Sequence, residues 1–397
     1  MLKSNHLPVE AYTSEEYFAL EQQHIFSATW AFAGLQEDIK EPGQFISVQA
    51  GLNNIIVILD ENSQLQAFHN ICPHRGTQLL AKKGKVDKHI TCPYHDWRFD
   101  LTGQLRSLPK KNTEFKTLNK KCFGLTKASV VLWHGMLWVH PESNPMPISQ
   151  WFKDIEPHMG PHNVDSLVEA PEEMVVKDIQ ANWKVIVENY IDHYHLAQLH
   201  VGTLNMYDHS KAKFQFLGPH FAFWEPLTAS YRENIERNSP LPLIEHIAKS
   251  ELAAWVPMLF PGIGIAATES TWSVFHIIPL TANKSRIVIR TKVQPCSDLT
   301  YLSQSMGSAM YWYKSTFAKD DKVSADHPLA SGDFLQEDIF VCEQLQKSLT
   351  SPKFRQGPSA EFGESPIRGH QAIVEEYIGK HIPQNIHYKI SGSSTTS

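Results

Sequence analysis

Apolar residues along this chain change period several times, and each change marks an element. From 13 to 34 (TSEEYFALEQQHIFSATWAFAG) they recur at helical spacing, and the stretch opens on hydroxyl residues followed by acids, a helix-start signal. From Gly43 to His69 the period becomes that of strands: FISV, NIIVIL and QLQAF are cut by GLNN and DENS, which predicts an antiparallel meander. DLTGQL and SVVLWHGMLWVHP continue it, each turning at a glycine. Residues 40–142 therefore predict one small all-β domain. Pro141, Pro145, Pro147, Pro157 and Pro161 mark a loop-rich passage out of it. Farther on, strands are predicted at EEMVVKDI, AWVPMLF, GIGIAATE, TWSVFHIIPL and SRIVIRTKVQP, with a long helix over Asn182 to His200 and further helices at about 298–317, 333–349 and 369–380. The fold class is α+β, an N-terminal β domain followed by a large antiparallel sheet with helices laid against it. The expected division is a helical segment 1–39 packing on the second domain, the β domain 40–142, the second domain 143–390, and a small, polar, disordered tail 391–397.

The β domain carries the densest chemistry. Ile71 to Trp97 reads ICPHRGTQLLAKKGKVDKHITCPYHDW, with Cys72 and His74 as C-x-H and Cys92 and His95 as C-x-x-H. Two thiolates and two imidazoles could hold a tetrahedral zinc, but structural zinc sites usually pair cysteine with cysteine and histidine with histidine. Here each loop supplies one sulfur and one nitrogen. That lets Cys72 and Cys92 hold one iron of a [2Fe-2S] cluster while His74 and His95 hold the other.

Composition narrows the partners. The 397 residues are 42% hydrophobic, with no apolar run long enough to span a bilayer, and the start MLKSNHLPVEAY has no apolar core of a leader, so no membrane is expected and the expected location is cytoplasmic. Five cysteines do not make a disulfide framework; with two assigned to iron, Cys122, Cys296 and Cys342 are expected to be buried thiols. With 36 basic and 42 acidic residues the net charge is -6, which argues against nucleic acid. Small molecules and a redox protein remain.

A second metal site follows from helical geometry. On a helix over Asn182 to His200, Trp183, Ile186, Val187, Tyr190, Tyr194 and Ala197 form one apolar stripe. The other side interleaves Glu188, Asp192 and His195 with Val185, Leu196 and Leu199, so its charges need partners. Asp192, His195 and His200 read D-x2-H-x4-H; the two histidines lie about 140° apart on an ideal helix and can share an ion only if the turn is distorted or unwound, for example as a π turn. Two histidines and one carboxylate are the ligand set of non-haem Fe(II) oxygenases. The carboxylate is Asp192, which could instead orient His195 from behind, or Asp338, which alone among Asp333, Glu337, Asp338 and Glu343 falls in the stripe of Leu335, Cys342, Leu345 and Leu349.

The CPHRG and CPYH-x-W knuckles, then NWK at Asn182 to Lys184 and ENYIDHYHLAQLH from Glu188 to His200, resemble the oxygenase α subunit of Rieske non-haem iron oxygenases over most of the chain. The resemblance implies a Rieske fold and a helix-grip sheet. It implies that His195, His200 and Asp338 hold a mononuclear Fe(II), that Asp192 bridges a Rieske histidine of one subunit to an iron histidine of the next in a homotrimer, and that Asn189 lies close to the iron. It further implies electrons from NAD(P)H through a flavin or iron-sulfur reductase or a ferredoxin, which Lys82, Lys83, Lys85, Lys110, Lys111, Lys120 and Lys121 could dock, and O2 as co-substrate. The expected activity is hydroxylation of a small organic substrate, an aromatic ring or aromatic acid. The alternatives are oxidation of choline, betaine or carnitine, whose enzymes ENYIDHYH resembles in spacing, and electron transfer without a mononuclear iron. Candidate substrate contacts are Tyr207, Phe221, Phe223, Trp224, Trp272, Tyr311 and Trp312.

Overall fold

The computed structural model describes residues 7–304, 306, 324 and 326–381. Tyr311, Trp312, residues 305 and 307–317 of the helix expected at 298–317 and the tail expected at 391–397 lie outside them. The chain forms two compact units, Glu21–Trp151 and Met1–Leu20 with Phe152–Ser397.

The first unit is built of ten short strands: β1 (Ala31–Leu35), β2 (Gln44–Ala50), β3 (Asn53–Leu59), β4 (Leu65–His69), β5 (Lys83–Lys85), β6 (Ile90–Thr91), β7 (Arg98–Phe99), β8 (Leu105–Ser107), β9 (Ser129–Trp133) and β10 (Met136–His140). They pair as β4-β3-β2-β5, β1-β10-β9 and β6-β7-β8. The run NIIVIL is continuous because β3 is buried on both faces. Ile56 and Ile58 join Phe68, Trp97 and the cysteines of both knuckles in one core, while Ile55 and Val57 join Ala67, Leu137 and Val139 in another.

The helix expected over 13–34 ends early. Short helices Glu10–Thr13 and Glu15–Glu21 and a π turn Gln22–Phe26 give way to β1, whose Ala31 pairs with Val139. Trp30 and Phe32 are buried and Ala31 and Ala33 half-buried, a period of two that the helical reading overran. The segment 1–39 is thus divided between the units, with the strand in the β unit and residues up to Leu20 in the other.

The second unit holds a nine-stranded antiparallel sheet among the described residues: β11 (Val168–Glu169), β12 (Val175–Ile179), β13 (Lys213–Leu217), β14 (His220–Pro226), β15 (Ala253–Trp255), β16 (Met258–Leu259), β17 (Ile263–Ala267), β18 (Thr271–Thr281) and β19 (Lys284–Val293). Strands β13 and β14 were not expected. The helices that position the site are α1 (Trp183–Ile191), α2 (Leu196–Leu199), α3 (Phe334–Leu349) and α4 (Ser365–Ile378), and α1 packs on α3, α4 and β18. Asn182 starts α1: its side chain accepts from the Lys184 N–H and donates to the Ala282 carbonyl at 2.6 Å, while its own N–H reaches Gln346 on α3. The N-terminal segment is tied to α1 and α4 through the Tyr12 hydroxyl, which donates to Glu188 at 2.6 Å and accepts from Gln371 at 2.8 Å. These contacts, with no metal, answer the charge of Glu188. Cys342 is buried as expected, but Cys122 and Cys296 are exposed, lying in a surface turn and a loop after β19 where no core closes over them. Among the described residues no helix is long and apolar enough to cross a membrane.

Candidate metal centres

The two cysteine–histidine knuckles are near copies of one another. In each, the residue four after the cysteine donates its N–H to the cysteine carbonyl: Gly76 to Cys72 at 2.9 Å and Asp96 to Cys92 at 3.1 Å. Each cysteine N–H in turn bonds the carbonyl five residues on, Thr77 at 2.9 Å and Trp97 at 2.8 Å. Closing so tight a turn requires a left-handed residue, and Gly76 (φ 78°) and Asp96 (φ 57°) supply it. The turns bury both thiols and leave the imidazoles half-buried, their Nδ1 atoms facing each other at 3.1 Å. His74 stacks flat on the buried Trp97 at 4.8 Å. Burial, with the Cys92 thiol beside it, pushes the Cys72 thiol up to about 11, so a thiolate here calls for a bound cation. Burial, followed by His95 and Arg75, lowers His74, which favours the neutral ring that ligates metal. Two thiols and two facing Nδ1 atoms fit a histidine-ligated [2Fe-2S] cluster. Of the lysines nearby, Lys85 pairs with Glu41, while Lys111 and Lys120 bond backbone carbonyls.

In the other unit the helix expected to run to His200 stops at Ile191. Asp192 is extended (φ -73°, ψ 119°), its Oδ1 accepts the Tyr194 N–H at 2.8 Å, and the chain resumes as α2 with His195 at its start. This side chain to backbone bond competes with the helical ladder. The break is an unwound turn, with no π helix, and it removes the 140° problem. Ligand atoms of His195, His200 and Asp338 come within 4.8 Å of one another. Asp338 Oδ1 stands 3.7 Å from His195 Nε2 and 3.0 Å from His200 Nε2. Of the two candidate carboxylates, Asp338 joins the histidine Nε2 atoms, and Asp192 Oδ2 sits behind His195 at Nδ1, 3.0 Å away. Asn189 donates to Asp338 Oδ1 at 3.3 Å.

Sequence reasoning missed Glu337. It is fully buried, takes His200 Nδ1 at 2.9 Å and accepts from the Thr203 hydroxyl at 2.7 Å. Its position lies off the apolar stripe of α3, and Leu345 of that stripe is exposed, so no periodic signal pointed to it. Burial depresses the His200 imidazolium, yet Asp338 and Glu337 outweigh it and raise the group to about 9. Among the described residues, buried Nε2 of His200 has no well-aligned hydrogen bond. A buried ring nitrogen set against a carboxylate 3.0 Å away, with a second carboxylate behind the ring, fits a divalent cation, and the donor set is that of non-haem iron.

These residues form part of the wall of a cavity of about 710 Å³. Apolar side chains from α1 and the sheet line much of it, Tyr190, Phe223 and Phe275 among them, with Tyr207 from the loop after α2. Of the expected substrate contacts, Tyr207 and Phe223 reach the cavity; Phe221 and Trp272 are core, and Trp224 packs on Trp255.

Comparison with known proteins identifies both domains. Residues 164–380, more than half of the chain, match the family described as ring hydroxylating alpha subunit (catalytic domain), and residues 29–124 match the Rieske [2Fe-2S] domain. The glycine betaine monooxygenase oxygenase subunit of Chromohalobacter salexigens is 35% identical over 200 residues, 50% of this chain and 44% of that protein, so the match spans less than half of that relative. The chloroplastic choline monooxygenase of Beta vulgaris is 25% identical over 359 residues, 88% of this chain and 72% of that protein. The quaternary ammonium Rieske monooxygenase CntA shares the fold, with a TM-score of 0.73 and 22% identity over 94% of this chain and 95% of the other.

Proposed function

The chain belongs to the ring hydroxylating alpha subunit family, and from that footing we propose that it is a Rieske terminal oxygenase whose substrate is a quaternary ammonium compound. The observation that carries the reading is the convergence of His195, His200 and Asp338 on the wall of a largely apolar cavity. The family's [2Fe-2S] cluster would be held by Cys72, His74, Cys92 and His95, and its mononuclear iron by His195, His200 and Asp338. When bound, the cluster supplies single electrons and the mononuclear iron supplies the site where O2 is activated.

Each residue then has a stated task. Asp192 and Glu337 accept the Nδ1–H of His195 and His200, which fixes both tautomers and presents both Nε2 lone pairs on one side. Asn189 steadies the Asp338 carboxylate through Oδ1. The apolar wall holds substrate and keeps bulk water away. In sum, NAD(P)H gives two electrons, one atom of O2 replaces a C–H hydrogen by hydroxyl, and the other leaves as water. A carbon so hydroxylated next to nitrogen releases formaldehyde from an N-methyl group, whereas hydroxylation of the alcohol carbon of choline gives an aldehyde.

The aromatic ring or aromatic acid expected from sequence gives way to the alternative. The named relatives act on quaternary amines, and among the described residues no lysine or arginine lines the cavity to receive an aromatic carboxylate. The partner in this reading is a flavin or iron-sulfur reductase, or a ferredoxin, and the assembly a homotrimer. The test is a panel of choline, glycine betaine, carnitine, benzoate and naphthalene with reductase, NADH and O2, together with iron analysis. The expected result is coupled aldehyde or formaldehyde from a quaternary amine and iron beyond the two atoms of the cluster. Coupled oxidation of an aromatic compound alone would overturn the substrate class, and cluster iron alone would favour plain electron transfer.

A further inference from the structure

The hairpin turn joining β17 and β18 is buried, whereas turns ordinarily run over the surface. Ala267 pairs with Trp272, and the Thr268 N–H closes the turn on the Thr271 carbonyl at 2.8 Å. At its tip Glu269 and Ser270 are 2% and 1% exposed, and both line the cavity that His195, His200 and Asp338 share. One carboxylate oxygen, Oε1, accepts from the Tyr231 hydroxyl at 2.8 Å. The other, Oε2, has no hydrogen-bond partner among the described residues, nor does Ser270 Oγ. Buried polar atoms are nearly always satisfied, so two orphans on one turn point to something that comes and goes.

The remaining acids of the cavity are engaged. Asp192 and Asp338 serve the histidines, Glu225 takes the His209 ring at 2.7 Å, Glu173 takes the Tyr301 hydroxyl at 2.6 Å, and Asp333 caps α3 through the Leu335 N–H at 2.9 Å. Burial raises the Glu269 carboxyl, so its ionised form is favoured when a positive group stands beside it. Tyr207, half-buried and close enough to Glu269 to feel its charge, lines the same wall.

We propose that Glu269 is the specificity residue for substrate charge, its carboxylate on the cavity wall supplying the negative charge that favours the ammonium head of the substrate. The proposal rests on the quaternary ammonium reading and deepens it. A trimethylammonium group has no N–H to donate, so its recognition is by charge and by aromatic neighbours, and a neutral group of the same shape lacks the first.

The experiment is equilibrium binding, without reductase or turnover, of choline and of its uncharged carbon isostere 3,3-dimethylbutan-1-ol to protein with both iron sites filled. Wild type should prefer choline by at least roughly ten-fold. Glu269→Gln should bring the two within about two-fold by weakening choline alone, with its unfolding midpoint unchanged. Glu269→Asp, which keeps the charge, and Glu225→Gln, which removes a carboxylate already paired with His209, should both retain the preference. Equal weakening of both ligands in Glu269→Gln, or loss of the preference in Glu225→Gln, would overturn the assignment, and the latter reads out even if Glu269→Gln does not fold. A wild type that oxidises choline yet binds the isostere equally well refutes this inference alone; one that neither binds nor oxidises choline refutes the quaternary ammonium reading with it.

Discussion

Replacing Glu337 by glutamine should loosen the iron while leaving the fold and the cluster alone. Glu337 is fully buried, and Oε2 receives both the His200 ring at 2.9 Å and the Thr203 hydroxyl at 2.7 Å. Glutamine has the same shape and keeps one acceptor oxygen, so His200 stays oriented, but the bond loses its charge. Hydrogen bonds to charged groups contribute about 1.5–3 kcal/mol and neutral ones about 1. The difference, about 0.5–2 kcal/mol, corresponds to roughly 2- to 30-fold weaker Fe(II) binding, and full burial favours the upper half. That range overlaps the roughly 10- to 100-fold usual for groups bonded to metal ligands. Thr203→Val, which removes the shorter bond but leaves the charge, should lose less. The assay is Fe(II) retained against graded chelator, with the visible absorption of the cluster as internal control. Unchanged iron affinity in Glu337→Gln would refute the idea that this carboxylate tunes His200. A parallel loss of cluster colour and unfolding temperature would refute the claim that the effect is local.

The remaining predictions concern the sheet beneath the site. A Cβ at Gly264 on β17 would stand 2.6 Å from Tyr190 Cζ. Gly264→Ala should therefore cost about 1–3 kcal/mol by overpacking and raise substrate KM through displaced Tyr190, which lines the cavity; an unfolding midpoint and KM equal to wild type would contradict it. His162 is held at about 4 by burial, partly offset by its 2.6 Å bond to the Thr268 carbonyl and deepened by His246. Its folded value lies below the unfolded one, so the unfolded chain takes up the proton first as pH falls; the contribution is intact above the unfolded value and shrinks as pH drops toward the folded one. From about pH 7.5 to about pH 5 this group alone should remove at most about 2 kcal/mol, less for the part of the ring that water reaches. Urea unfolding at both pH values should show a smaller acid penalty in His162→Gln than in wild type, and equal penalties would exclude this histidine as a cause.

How far the sequence could carry these conclusions depends on the range of the forces involved. The knuckles were legible because their geometry is local: a cysteine, a histidine two or three residues on, and a residue four on that tolerates positive φ all lie within one turn. The fold class was legible for the same reason, since β3 declares by its unbroken apolar run that both its faces are covered. Periodicity failed where it had no way to register a break. Trp183 to Ala197 keeps helical spacing straight through Asp192, and only the bond from Asp192 to the Tyr194 N–H stops the ladder. An aspartate ahead of the histidine run was the available hint, as Gly218 and Pro219 were for the unpredicted hairpin of β13 and β14.

Glu337 and Glu269 belong to a different case, because their roles are made by residues far away in the chain. Glu337 matters because the unwound turn after α1 delivers His200 to it across 137 positions. Glu269 matters because a hairpin tip that would elsewhere be wet is enclosed with its second oxygen unpaired among the described residues. Nothing in the local sequence of either distinguishes it from a solvated surface acid, and burial is what turns each charge into a demand for a partner. One carboxylate meets that demand inside the protein, through His200, and is therefore expected to be felt in iron affinity. The other leaves it unmet among the described residues, and is therefore expected to be felt in the choice of substrate.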